Sequence, residues 1–176
     1  MTAGSEIGEN FTRMRMADDA DRRRSDVATR VINASADSIY HAFASAGSLM
    51  QWLPPLGMSG RALAYEFREG GRYRIELRYD HEASTGSGKT TDRTDITHGQ
   101  FLELRPGRRI VQSAQFESSD TTGAAVMTMT WSFDTTPEGT RVTVTADNVP
   151  TSISKADHDA GLRSSLKNLA AFVERP

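Results

Sequence analysis

The chain contains no cysteine, which removes disulfide scaffolds, thiolate metal sites and cysteine nucleophiles from consideration. It has no excess of charge either: 21 Lys and Arg face 23 Asp and Glu, a formal net charge of −2 over 176 residues. A nucleic-acid binder carries a basic surplus to meet the phosphate backbone, and none is present here. Long apolar runs are missing as well. The longest is residues 169–173, against about 20 residues for a helix that spans a bilayer. No stretch of secretory length opens the sequence, so we expect no signal peptide, no membrane association and a cytoplasmic protein.

What is present suits a globular protein. The apolar share is 37% and the charged share 25%, both ordinary values. The length is that of one domain, and such a chain can remove about 70% of its unfolded surface from water.

Residues 1–27 differ from the rest. Arg22, Arg23 and Arg24 adjoin Asp18, Asp19, Asp21 and Asp26, with few large apolar side chains among them. That composition cannot offset the entropy of ordering, so a disordered tail is expected there and one domain over 28–176. Ala28 to Asn33 reads as a strand. Ser35 caps a helix over 36–44, with Ile39 and Phe43 on one face. A second helical turn covers 48–53 and stops at Pro54 and Pro55.

From Ala62 the period changes to two. Leu63, Tyr65 and Phe67 alternate with small or charged residues. After the turn at Glu69, Gly70 and Gly71, the side chains of Tyr73, Ile75, Leu77 and Tyr79 alternate with Arg72, Arg74, Glu76 and Arg78. That is a strand apolar on one face and charged on the other. The arginine stripe reads as a solvated outer face. Residues 81–93 form a Gly/Ser/Thr-rich loop. Strand patterns return over 94–104, 109–116, 126–133 and 142–146, which makes an antiparallel sheet. The chain ends on a helical stripe of Leu162, Leu166, Leu169 and Val173. Ser154 and Asp157 start that helix, the Asp carboxylate accepting from the cap residue's amide. Gly161 is expected to let the helix approach the sheet closely. The class is α+β.

The order β-α-α-β(6)-α resembles the START-like (SRPBCC) superfamily with its helix-grip fold. From about Thr29 to Glu174 the chain resembles the heat-shock-protein-90 ATPase activator homologue branch. The residues that carry this are Arg30-Val31-Ile32-Asn33-Ala34, Ile39-Tyr40-His41-Ala42-Phe43, and Trp52 with Leu53-Pro54. Glu69-Gly70-Gly71, Gly99-Gln100-Phe101-Leu102-Glu103-Leu104 and Met127-Thr128-Met129-Thr130-Trp131 follow. Gly139-Thr140-Arg141-Val142-Thr143-Val144 and Asp157-His158-Asp159-Ala160-Gly161-Leu162 complete the set. The family commonly has Trp where this chain has Leu162.

The resemblance implies a sheet curled around the C-terminal helix, with an apolar cavity between them. Its implied walls are Trp52, Tyr65, Tyr73, Ile75, Leu77, Tyr79, His98, Met127, Met129, Trp131, Leu162 and Leu166, and the most telling observation would be a pocket of over about 300 Å3 between the last helix and the sheet. Methionine and aromatic side chains give an adaptable apolar lining. The expected partner is a small hydrophobic molecule. The alternatives are a chaperone whose ATPase the protein stimulates in stress, or a polyketide cyclase or hydrolase reaction in the cavity. The chain is expected to be a monomer or homodimer. No catalytic residue is shared across the superfamily, so the fold defines a container and not its contents.

Other chemistry finds little support. Residues 83–90 formally match a relaxed phosphate loop, but a period-two pattern follows where a helix is required. His41, His81, His98 and His158 are not spaced as metal ligands, and no cofactor or metal is expected. Asp95 and His98 fall on opposite faces of their strand. His98 shares the parity of Ile96, Leu102 and Leu104, which directs it inward. His158, in the first turn of the last helix, reads as a surface or capping residue. No G-x-S-x-G occurs. An enzymatic reading would rest on His98, Tyr73 and Glu66.

Overall fold

The alternating segments pair into one antiparallel sheet, and the helical stripe packs against it. The computed structural model describes residues 24–80, 93–117 and 125–175. In chain order they form β1 (Arg24–Ile32), α1 (Ala36–His41), α2 (Ala46–Trp52), β2 (Met58–Tyr65), β3 (Arg72–Tyr79) and β4 (Thr94–Arg105). Then come β5 (Arg109–Phe116), β6 (Met127–Thr136), β7 (Gly139–Val149) and α3 (Lys155–Val173). The strand order is β1-β7-β6-β5-β4-β3-β2. Consecutive strands from β2 to β7 are neighbours, and β1 joins the free side of β7.

The helix starts follow from hydroxyl capping. The Oγ of Ser35, Ser45 and Ser154 accepts from the amide of Ser38 at 3.1 Å, Ser48 at 3.2 Å and Asp157 at 3.1 Å. Each such bond is worth about 1 kcal/mol. The Asp157 carboxylate accepts the Ser154 hydroxyl at 2.7 Å, not the backbone amide expected; Asp is one methylene shorter than the Glu of a capping box. On α3, Leu162, Leu166, Leu169 and Ala170 are buried, and the helix lies chiefly over β1. The arrangement is the helix grip.

Two expectations need correction here. Arg24 to Val27 are not tail but the first half of β1, paired with β7 up to Val149, because Asp26, itself fully buried, finds the partners described below. Gly161 seats nothing: a Cβ there would meet no atom within 4 Å. The loop at 81–92, with its phosphate-loop-like segment and His81, lies outside the described residues.

The concave face holds the core. Ile32, Ile39, Trp52, Phe101, Ile110, Val142, Val144, Leu166 and Leu169 are almost fully buried, each aliphatic contributing roughly 1.5–3 kcal/mol. A second cluster, Ala114, Met127, Ala146, Val149 and Ile153, lies toward the start of α3, and Met129 touches both.

Candidate ligand site

Seven aromatic residues converge where α1 and α2 meet the sheet. Phe43 and Trp52 pack edge to face at 4.9 Å, and both meet Trp131, at 5.2 and 6.0 Å. On the strand side Tyr65, Phe67 and Tyr73 surround Phe101 at 5.5, 5.1 and 5.6 Å. Rigid rings crossing at steep angles leave residual space. That space is a cavity of about 40 Å3 lined by Phe43, Leu49, Trp52 and Leu53 on the helical side and by Tyr65, Tyr73, Ile75, Phe101, Gln112 and Trp131 on the sheet side.

The polar ends of three of these rings are committed to backbone. Trp52 Nε1 donates to Ala42 O at 3.0 Å, the Tyr65 hydroxyl to Phe43 O at 2.6 Å and the Tyr73 hydroxyl to Ser113 O at 2.6 Å. Burial pushes both tyrosine hydroxyls well above the usual phenol range; for Tyr65 the neighbouring Tyr73 and Tyr40 add to this. The neighbouring Gln112 side chain opposes part of the rise at Tyr73. Both hydroxyls therefore stay protonated and serve as donors, not bases. Gly99 makes the Tyr73 geometry possible: a Cβ there would collide with the Ser113 carbonyl oxygen and stand 2.9 Å from the Tyr73 hydroxyl.

Of the residues expected to form a wall, Trp52, Tyr65, Tyr73, Ile75 and Trp131 surround this cavity. Leu77, Tyr79 and Met129 continue the same concave face and are half-buried, while Met127 is buried in the second cluster. Leu162 and Leu166 are core residues that do not border the cavity, so it lies beneath α2 and not, as expected, beneath the C-terminal helix. Its size falls below that of ligand sites. About 40 Å3 holds two or three waters, where a cavity that takes benzene measures about 150 Å3.

His98 points outward, contrary to expectation. It pairs with Arg74 and Gln115, its side chain is 42% exposed, and Nδ1 lies 3.7 Å from Glu117 Oε1. A bulge between Phe101 and Glu103 is the cause. Leu104 lies inward beyond the bulge and Phe101 before it, whereas Leu102 is exposed; counting parity back from Leu104 reverses every face. Glu66 is exposed and held by Arg68 at 2.8 Å, so it does not reach the interior. The outer arginine stripe is as read, with Arg74 gripping Glu117 through two bonds of 2.6 and 2.9 Å.

The sequence reading missed Gln112 and Asp95. Both share a strand face with inward neighbours, Gln112 with Ile110 and Ala114, Asp95 with Phe101, and Asp95 is only 5% exposed. The alternation held the signal, but a polar residue does not announce itself as interior. His158 is another correction. Far from capping the surface, its Nδ1 lies 2.7 Å from Oδ2 of Asp26, a carboxylate with no exposed surface. Arg24 Nε and Lys155 Nζ also reach Asp26, at 3.1 and 3.3 Å. Burial alone would push this carboxyl up; the bonds from His158, Arg24 and Lys155 outweigh that and hold it below the usual range. Among the described residues no group of acidic and histidine side chains is placed to hold a metal, and no helix is long and apolar enough to cross a membrane.

Sheet, grip helix and aromatic cavity together define a START-like (SRPBCC) protein, a class whose fold commonly binds hydrophobic ligands. The chain belongs to the family described as activator of Hsp90 ATPase homolog 1-like protein, whose model matches residues 33–174. No curated protein matches it. Among solved structures it is similar to protein CV1439 from Chromobacterium violaceum, at 29% identity and a TM-score of 0.75, over 86% of this chain and 98% of that one. Protein Ms6760 from Mycobacterium smegmatis shares the fold at 15% identity, TM-score 0.65, over 85% and 88% of the two chains. Protein NE0264 from Nitrosomonas europaea does so at 16% identity, TM-score 0.62, over 85% and 94%.

Proposed function

We propose that the protein binds a small apolar or aromatic molecule on the concave face of the sheet, with the cavity under α2 as the closed inner end of the site. One observation carries this reading. Ile75 and Trp131 of the cavity wall lead along their strands to Leu77, Tyr79 and Met129, with Thr97 and Phe116 between them, and all five are only half-buried although they face the inside of the curve. Interior apolar side chains that keep surface mark a place where a guest can add contacts. The closed end takes a substituent the size of a few waters, and the body of the ligand rests on the half-buried stretch.

Uptake of an environment-sensitive naphthalene fluorophore tests the reading. Binding should raise the fluorescence and stabilise the fold by about 2.7 kcal/mol at a hundred times Kd. Met129→Trp, which fills the stretch, should abolish uptake in a protein that still melts cooperatively. No fluorescence change and no melting shift across a panel of apolar probes would sink the proposal.

A chaperone-directed role is the second reading, and it is supported by the family's description. Stimulation of a purified Hsp90-type ATPase by the whole chain is its test. A reaction in the cavity has less behind it: His98 and Glu66 face away, and the Tyr73 hydroxyl is committed to Ser113.

A further inference from the structure

Three side chains meet at one point above Gly60 of β2. A Cβ on that glycine would stand 2.7 Å from Pro54 Cγ, 3.0 Å from Met50 Sδ and 3.3 Å from Leu77 Cδ2, so the three close over the strand because the residue beneath them has no side chain. The point lies on the border between the two parts of the site. Gly60 is the register partner of Leu77, where the half-buried stretch begins. On the other side Leu53 lines the closed cavity. Leu53 and Pro54 follow Met50 at three and four positions, the spacing of one helix face. Met50 and Pro54 therefore seal the cavity from the stretch along the seam between α2 and the sheet. Two of the three side chains are fixed. Pro54 is a ring closed onto the backbone, and its turn is tied down: Pro54 O accepts from Asn168 Nδ2, Met58 N donates to Pro55 O and Asp80 N donates to Gly57 O, each at 3.0 Å. Leu77 projects from β3, which is paired on both sides. Met50 is different. Its side chain is unbranched, turns about three bonds and is half-buried, while α2 is seated by its neighbours Leu49 and Trp52.

From this we infer that Met50 is the gate of the inner cavity. Rotation of its side chain away from Gly60 opens the seam, admits one end of an apolar ligand from the half-buried stretch into the space beneath α2, and closes over it afterwards. The inference rests on the ligand-binding reading above and adds the route of entry to it. Thioether, proline ring and leucine make the seam apolar, which suits the same ligand class. The motion is small. Trp52 keeps its bond to Ala42 O and Pro54 keeps its bond from Asn168, because one side chain moves and the helix does not.

Stopped-flow mixing of the native chain with the naphthalene fluorophore reads the gate as a rate. Association that waits on a conformational change is slower than simple docking, and the observed rate should level off as the probe concentration rises. Met50→Ala removes the gate. It should raise the association rate about tenfold and abolish the levelling, while the equilibrium affinity changes less than about threefold because release speeds up as well. Met50→Ile keeps an apolar side chain but stiffens it at χ1, and should slow association about threefold. Either variant decides alone should the other fail to fold. A merely structural role for Met50 would shift the melting temperature and leave the levelling in place. Rates that climb linearly with probe and agree within about twofold in all three chains overturn the inference and leave apolar binding standing. If the native chain does not bind the probe at all, the ligand-binding reading falls and takes the gate with it.

Discussion

Two of the places where the molecule buries polar groups do so in opposite ways. Under α2 the polar atoms are neutral and reach backbone carbonyls: Trp52 to Ala42, Tyr65 to Phe43, Tyr73 to Ser113. Across the molecule, where α3 starts, a fully buried carboxylate, Asp26, meets the charged or titratable side chains of Arg24, Lys155 and His158. The first arrangement is cheap to disturb, since a neutral hydrogen bond contributes about 1 kcal/mol net. The second is not, because removing one partner of a buried charge strands the others. Sequence separation adds to the contrast. Asp26 and His158 lie 132 positions apart, so their bond pins the first strand to the last helix. At the other end α3 is held by neutral donors: Asn168 donates to Pro54 O at 3.0 Å, and Asn33 N donates to Glu174 Oε1 at 2.8 Å. A clamped end and an adjustable end suit a fold that opens on one side.

Breaking the clamp should produce the largest effect. Asp26→Ala is expected to destabilise the chain by about 3 kcal/mol, a fall in Tm of roughly 10 °C for a protein of this size, while Tyr65→Phe at the other end costs about 1 kcal/mol. Equal losses at the two positions would erase the contrast. Acid sharpens it. The folded carboxyl of Asp26 sits below its ordinary value of 3.8, so its contribution is complete above that pH and is lost as pH falls through the lower folded value. Urea unfolding at pH 7 and at pH 2–3 should therefore show the gap between the native chain and Asp26→Asn narrowing in acid. A gap that widened would mean the carboxyl is not held down by its partners.

Gly99→Ala comes next, at about 2 kcal/mol. The added methyl group meets the Ser113 carbonyl, which is backbone and cannot move aside, and crowds the Tyr73 hydroxyl. Thermal melts of Gly99→Ala in the native and Tyr73→Phe backgrounds should show the two costs failing to add, since the hydroxyl is shared. Additive losses would place the strain elsewhere.

The same contrast explains what the sequence disclosed. Strands β2 to β7 and the stripe of α3 were legible because period-two and period-3.6 patterns report burial directly, and Ser35 and Ser154 mark helix starts by local chemistry. Tyr65, Tyr73, Ile75 and Trp131 fell on inward faces for the same reason, while Trp52 came with the family resemblance. Where the pattern was interrupted the reading failed. One extra residue between Phe101 and Glu103 turned His98 to the outside. Long-range polar pairing is invisible to periodicity: nothing near Asp26 in the chain announces His158, so four residues of β1 read as tail and a clamp read as surface. Gln112 was overlooked because polarity outweighed parity, and Asp95, set opposite an inward His98, was turned outward by the same miscount. The size of a cavity depends on ring angles, which composition does not encode.

The smallest effect tests whether the grip helix takes part in the adjustable end at all. Gly161 lies between the clamp at His158 and the buried Leu162, and the space around its missing side chain is open. If α3 is a rigid brace and no wall of the cavity borders it, the glycine is only a cost in helix propensity. Gly161→Ala should then stabilise the chain by about 0.5–1 kcal/mol, read as a rise in Tm, and leave the affinity for the naphthalene fluorophore unchanged within about twofold. Were the added methyl group to weaken the probe while raising Tm, the helix would have to flex at this glycine for the site to open. The rigid end of the molecule would then stop at Gly161 instead of running on through Leu162.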